Sequence, residues 1–232
     1  MSGALLPVWA NPSFIAERGL ARGISGILAR LGIDTSQRWV DVGCGMRPYE
    51  VFFPVGTYVG IDVPASGRPD ELKHPDLLYD GKRLPFADSA LNGILSTQVL
   101  EHVPDPDVFL AECRRVLKPG AKLVLSAPFL WSEHEQPHDY FRFTSFGMGR
   151  LLAKHGFAPI KSVKSTGALE AFAQLVSTYV ANSFRLPIPG FGRLLTLFVC
   201  CPVQLAGLLL QKVLPDQGEL FLDMVVLAEK RP

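Results

Sequence analysis

Val40-Asp41-Val42-Gly43-Cys44-Gly45 decides the fold of this chain. A short apolar run ends in two glycines one residue apart, the pattern of a buried strand that turns sharply into whatever follows. Without a Cβ the backbone can bend there and approach a ligand closely. In an open α/β sheet such an approach occurs at the carboxyl end of the first strand, where nucleotides bind. The next apolar run, Thr57-Tyr58-Val59-Gly60-Ile61-Asp62, strengthens this reading. It ends in a carboxylate 21 residues beyond Asp41, near the ~20-residue spacing of an acid that accepts hydrogen bonds from ribose hydroxyls.

Outward from this core, β-like runs alternate with amphipathic stretches, the signature of βαβ units and a parallel sheet. Residues 13–32 form a leading helix, with Ile15, Leu20, Ile24, Ile27, Leu28 and Leu31 at helical spacing. Strands fall near 38–43, 57–62, 76–80, 93–98 and 121–127. Asp105-Pro106-Asp107 opens a helix through Phe109, Leu110, Cys113, Val116 and Leu117, and Lys118-Pro119-Gly120 stops it. Another helix spans 145–155 and ends at Gly156. The run Glu219–Lys230 is apolar enough for a buried strand.

The chain has 232 residues, which suits one α/β domain. At 48% hydrophobic and 19% charged it can bury a sizeable core, and global disorder is excluded. A net charge of +1 with no long basic run gives no support to a nucleic-acid partner. Cys44, Cys113, Cys200 and Cys201 lack metal-ligand or disulfide-framework spacing, pointing to a reducing compartment. The amino terminus lacks the features of a secretory signal, so a cytoplasmic location is expected.

Between about 168 and 214 the chain turns mostly apolar, and Leu194 to Gln211 carries no charge. A membrane span needs ~20 such residues, and Pro202, Gln204 and Gly207 weaken this one. If 220–228 pairs with the sheet, both ends of the apolar stretch lie on the same side of any membrane. Three readings follow: an interfacial hairpin touching a membrane at its inner face, a lid over the active site, or a homodimer surface.

Further motifs carry a family resemblance. Asp41-Val42-Gly43-Cys44-Gly45, Leu84-Pro85-Phe86-Ala87-Asp88, Leu100-Glu101-His102-Val103 and Leu117-Lys118-Pro119-Gly120-Ala121 occur in order over residues 38–128. Together they resemble the class I S-adenosylmethionine-dependent methyltransferases, and among these the type-11 group. Pro137-His138-Asp139-Tyr140-Phe141-Arg142-Phe143-Thr144 is similar to a segment of one branch of that group. The resemblance implies a Rossmann-like seven-stranded sheet, mostly parallel with one antiparallel strand near Leu220–Leu227. The whole of 1–232 is then a single domain, with an apolar helical insertion over about 165–218 before the last strand.

It also implies S-adenosyl-L-methionine as cofactor. Asp41 would receive the methionyl ammonium, Gly43 and Gly45 would pass beneath the amino-acid moiety, and Asp62 would take the ribose hydroxyls. Asp80 and Gly81 would meet the adenine, and Gln98 and Val99 would flank the sulfonium. The alternative for Asp80 is a turn or cap residue, and for Leu84-Pro85-Phe86 it is loop packing. The chain departs from the family in Met46-Arg47-Pro48 after Gly45, leaving Arg47 without a task, and in Leu91-Asn92, where the family's fourth strand opens with an acid that we read as structural.

Two rival motifs fail. Gly43-x-Gly45-x-x-Pro48 lacks the third glycine of the dinucleotide fingerprint. His134-Glu135-Gln136-Pro137-His138 matches H-E-x-x-H, but that zinc chemistry needs a continuous helix, which Pro137 opposes; no metal site is expected. The same segment follows strand five, where an acceptor should bind. A base there needs a pKa near the working pH, which favours histidine: His138 first, then His134, with His102 a third candidate and loop hydrogen bonding the alternative for each. Arg142 would clamp an anionic substrate or pair with Asp139. The expected function is methyl transfer to a small-molecule, glycan or lipid-linked acceptor. The alternative is a catalytically inactive binding module of the same fold, anchored at a membrane.

Overall fold

The computed structural model describes residues 10–64, 67, 69–184 and 190–232; the amino-terminal stretch weighed as a secretory signal and part of the apolar insertion lie outside them. Seven strands form one sheet: β1 Trp39–Val42, β2 Tyr58–Asp62, β3 Leu77–Leu78, β4 Leu91–Thr97, β5 Leu117–Pro128, β6 Phe157–Lys164 and β7 Asp223–Lys230. Their spatial order is β3-β2-β1-β4-β5-β7-β6. The first five run parallel, and β7 lies antiparallel between β5 and β6. This is the Rossmann-like mixed sheet expected, with β7 as the antiparallel strand.

β1 is wholly buried, and β4 and the carboxyl-terminal half of β5 nearly so, because both faces of the sheet are covered there. On one face α2 (Pro106–Val116) and α3 (Ser145–Lys154) pack Leu110, Val116, Met148 and Leu152 onto Val42, Ile61, Ile94 and Leu125. On the other, α1 (Phe14–Leu28) lays Ile24, Ile27 and Leu28 over Trp39, Leu95, Val124 and Val225. Asp105 caps α2 as its sequence suggests, accepting from the Asp107 and Val108 amides at 3.1 and 3.2 Å.

Some boundaries differ from expectation. Strand β3 shrinks to two exposed residues at the sheet edge. Lys118-Pro119-Gly120 does not separate helix from strand: β5 begins at Leu117, and the turn is absorbed as a shift in its pairing with β4. The strand left unplaced by periodicity is β6, an exposed edge whose Pro159, Lys161 and Lys164 hide its alternation. The glycine turn leads into a single 3₁₀ turn, Glu50–Phe52.

The insertion between β6 and β7 is helical, as expected, and consists of α4 (Ala168–Ser183) and α5 (Phe191–Val213), the latter with a π-type turn at Thr196–Cys200. Polar residues that weaken α5 as a span face inward. Gln204 donates to the Asn11 and Pro12 carbonyls, each at 3.0 Å, and Gln174 of α4 donates to the Pro12 carbonyl at 2.7 Å. Gly207 lets the two helices meet, since a Cβ there would overlap Ala173. The outer faces stay apolar and exposed at Phe172, Val176, Tyr179, Phe198, Leu205, Leu209 and Val213. By length and composition α5 could cross a membrane.

Candidate functional site

The carboxyl ends of β1, β2 and β4 converge on the glycine turn. Gly43 and Gly45 have φ of +73° and +48°, the left-handed region in which glycine carries no Cβ penalty. A Cβ on Gly43 would overlap Val99 Cγ2, so close approach dictates glycine there as well. Asp62, at the end of β2, is fixed by two amides: Gly45 N–H donates to Oδ2 at 3.1 Å and Val63 N–H to Oδ1 at 2.8 Å. Asp41, Gly43, Gly45, Asp62 and Val99 are thus brought together.

Asp41 is 1% exposed and in register with Gly60 and Leu95 of the neighbouring strands. The Tyr58 hydroxyl donates to its Oδ2 at 2.6 Å, while Oδ1 has no hydrogen-bond partner among the described residues. Burial pushes this carboxyl up to about 7, with the Tyr58 hydrogen bond and Arg47 opposing and Asp62 adding to the rise. Arg47 acquires a task here. Its guanidinium bridges Asp76 at 2.6 Å and Glu50 at 2.8 Å and lies 5.1 Å from the Tyr58 ring centre. Asp76 in turn accepts the Gly60 amide at 2.8 Å. Arg47 therefore braces the β2 side of the turn.

The remaining cofactor-side residues differ in placement. Asp80 sits in an exposed turn, where one carboxylate oxygen accepts from the Lys82 and Arg83 amides at 2.8 and 2.9 Å; these bonds hold its carboxyl below the usual range. Gly81 follows with φ +75°. Gln98 adopts φ +55° and is pinned by its amide and side chain to Ser126 Oγ at 3.1 and 3.2 Å. Leu84-Pro85-Phe86 is a packed loop: Arg115 donates to the Leu84 and Phe86 carbonyls and pairs with Asp88 and Glu112.

Beyond β4 and β5 lies the histidine-bearing region. Residues 131–144 contain neither helix nor strand, so the H-E-x-x-H match has no helix to act from. His134 instead meets His102, edge to face with ring centres 4.7 Å apart. Burial, and then the His102 charge, lower the His134 pKa. His138 stands outside this contact: its ring is exposed, with Nδ1 3.3 Å from the Tyr140 hydroxyl, and only its carbonyl reaches His102. Arg142 grips Asp139 at 2.6 and 2.7 Å and bonds to the Trp131, Ser132 and Phe141 carbonyls. That pairing holds the Asp139 carboxyl far below its ordinary range.

Two buried acids were not singled out by sequence reasoning. Glu101, after β4, is fully buried, with neither carboxylate oxygen hydrogen-bonded among the described residues, and burial raises its pKa to about 8. Asp223 opens β7; burial raises it to about 7 against hydrogen bonds from Ser165 and Gln98. The available signal for Glu101 was an acid between Leu100 and Val103 beside a histidine. Asp223 offered none within an apolar run.

Residues 40–125, less than half of the chain, match the family model described as a methyltransferase domain, and this match together with the sheet order supports the resemblance to class I, type-11 methyltransferases. Among curated relatives, the methyltransferase GfsG of Streptomyces halstedii is 27% identical over 136 residues, covering 51% of this chain and 48% of that protein. The demethylmenaquinone methyltransferase of Staphylococcus aureus is 28% identical over 143 residues, covering 55% and 59%. The chain thus spans about half the length of these relatives. Haemonchus contortus phosphoethanolamine N-methyltransferase 2, solved with S-adenosyl-L-methionine, has the same fold: TM-score 0.53 at 16% identity, covering 89% of this chain and 52% of that one.

Proposed function

We propose that this protein transfers a methyl group from S-adenosylmethionine to a small apolar or lipid-linked acceptor at the cytoplasmic face of a membrane. The observation that carries the reading is the buried Asp41 Oδ1, without a hydrogen-bond partner among the described residues, beside the Gly43–Gly45 turn and the oriented Asp62 carboxylate. A buried carboxylate oxygen without a donor fits an ammonium group, which supplies a charge-assisted hydrogen bond. Asp62 fits a pair of hydroxyls, since its two amide bonds orient it and leave lone pairs to accept more.

Bound there, the cofactor would supply an electrophilic methyl on a sulfonium. Asp80, Gly81, Gln98 and Val99 would line the rest of its site. Rigid backbone does the positioning, which supplies much of the rate when the electrophile is already activated. The acceptor side is bordered by the histidines, with His138, His134 and His102 as the groups that could take a proton from an attacking hydroxyl.

The apolar character of the acceptor is supported by the insertion. Leu130 and Trp131, just before the histidine segment, pack against the cluster of Ala171, Ala173 and Leu222 beneath α4. A surface suited to lipid therefore lies next to the acceptor side. Four free cysteines fit a reducing compartment. The test supplies the chain with methyl-labelled S-adenosylmethionine and extracted membrane lipids or aqueous metabolites. Label entering the lipid fraction is the expected result; label only in the aqueous fraction refutes the lipid-linked acceptor. Label in neither favours the inactive binding module.

A further inference from the structure

The histidine pair and Glu101 have a geometry that proton transfer alone does not explain. One ligand atom from each of Glu101, His102 and His134 lies within 4.8 Å of the others. Glu101 Oε1 is 3.9 Å from His102 Nε2, and Glu135 Oε2 approaches the same ring nitrogen at 3.8 Å. Both imidazoles are held at Nδ1. His102 Nδ1 is 2.7 Å from the His138 carbonyl, and His134 Nδ1 lies 3.2 Å from the Ser132 carbonyl and 3.3 Å from Asp139 Oδ2. A protonated Nδ1 bound to a carbonyl or carboxylate leaves Nε2 with its lone pair, the arrangement that orients metal-ligating histidines. Glu101 is the independent observation: wholly buried, it has no hydrogen-bond partner for either oxygen among the described residues, a costly state unless something electropositive meets it.

We propose that Glu101, His102 and His134 form a divalent-cation site on the acceptor side of the domain, with Glu135 at its edge as a fourth ligand. Two imidazoles and a carboxylate suit zinc, iron(II) or manganese, and leave positions for substrate oxygen or water. Bonds of about 2.0–2.2 Å require the ligand atoms to draw in by a fraction of their present separation, which side-chain rotation allows. The expectation of no metal rested on H-E-x-x-H lacking its helix. That argument stands, but His134 takes its partners from the turn that follows β4 instead of from His138.

The site stands independently of the methyltransferase reading; its service to methyl transfer rests on it. A cation here would bind an acceptor hydroxyl and ease loss of its proton to solvent. The oxygen electron pair would then form the bond to the methyl carbon as the carbon–sulfur bond breaks, its pair leaving on sulfur.

Cobalt(II) titrated into the chelator-treated full chain, followed by visible absorption, tests the site, with zinc competing the signal away. One equivalent with a low-coordinate spectrum is expected, weakened about a hundredfold or more in Glu101→Gln and in His134→Ala, while both variants keep the parent melting profile and S-adenosylhomocysteine affinity. No binding to the parent chain, or undiminished binding in folded variants, overturns the proposal. The Glu101→Gln change is near-isosteric, and the melting profile checks that each variant folds. Cation binding without S-adenosylhomocysteine binding would sustain the metal site and contradict the methyltransferase reading; the reverse would sustain that reading and overturn the site.

Discussion

With one oxygen bonded to the Tyr58 hydroxyl and the other buried without a hydrogen-bond partner among the described residues, Asp41 keeps its proton up to about pH 7 in the cofactor-free chain. The same group in an unfolded chain ionises near its ordinary value of 3.8. Between these values the folded state binds more protons than the unfolded one, so stability falls as pH rises through that window. Glu101 and Asp223 are raised too and push in the same direction, so the informative quantity is a difference. Tyr58, Asp62 and Arg47 face Asp41 and are unchanged in Asp41→Asn, whose amide oxygen can still accept the Tyr58 hydrogen bond. Denaturant midpoints across the window should show Asp41→Asn losing less stability than the parent as pH climbs. A parallel pH dependence would return Asp41 to an ordinary buried acid. For the cofactor the sign reverses: an ammonium favours the carboxylate, so affinity should rise as pH approaches about 7, with proton release below it.

Among the elements, α4 and α5 divide their faces between two tasks. Gln174, Gln204 and Gly207 face inward and bind the helices to residues 11–16 and to each other. Phe172, Val176, Tyr179, Phe198 and Val213 face outward, and Val213 is 80% exposed. Such a contiguous apolar face marks an interaction surface, and replacing residues on it should spare the fold. The parent chain is expected to float with anionic liposomes, and Phe198→Glu with Val213→Glu should abolish flotation while leaving the melting temperature nearly unchanged. Flotation that survives the double change would place the contact elsewhere. A parent that stays in solution as a dimer, and becomes monomeric in the double variant, would assign the face to self-association.

At this scale the sequence was legible where side chains obey one period and illegible where partners are distant. Asp105-Pro106-Asp107 announces α2 because capping is local. The edge strand β6 was hidden because exposure on both sides erases alternation, and Gln204 looked like a flaw in a span because its partner, the Asn11 carbonyl, lies 193 residues away. The same limit governed the site. Asp41, Gly43, Gly45 and Asp62 could be read from spacing, since adjacent strands bring them together. His138 ranked first on chemistry alone, but the structure leaves it exposed and pairs His134 with His102 across two loops. Arg47 and Arg115, which brace the turn and the Leu84–Phe86 loop, become intelligible only through contacts far along the chain.

For the molecule as a whole, a mostly parallel sheet sets the glycine turn, two carboxylates and a histidine pair at the carboxyl ends of its strands, with an apolar helical pair inserted before β7. Cofactor recognition is the claim on which the rest depends, because acceptor chemistry needs the methyl donor in place. The decisive measurement is calorimetric titration of the purified chain with S-adenosylmethionine, S-adenosylhomocysteine and NAD. Micromolar binding of the first two, none of NAD, and a loss of roughly 1–3 kcal/mol in Asp62→Ala from its charged hydrogen bonds are expected. A folded chain that binds none of the three, or an Asp62→Ala variant with undiminished affinity, would contradict that claim.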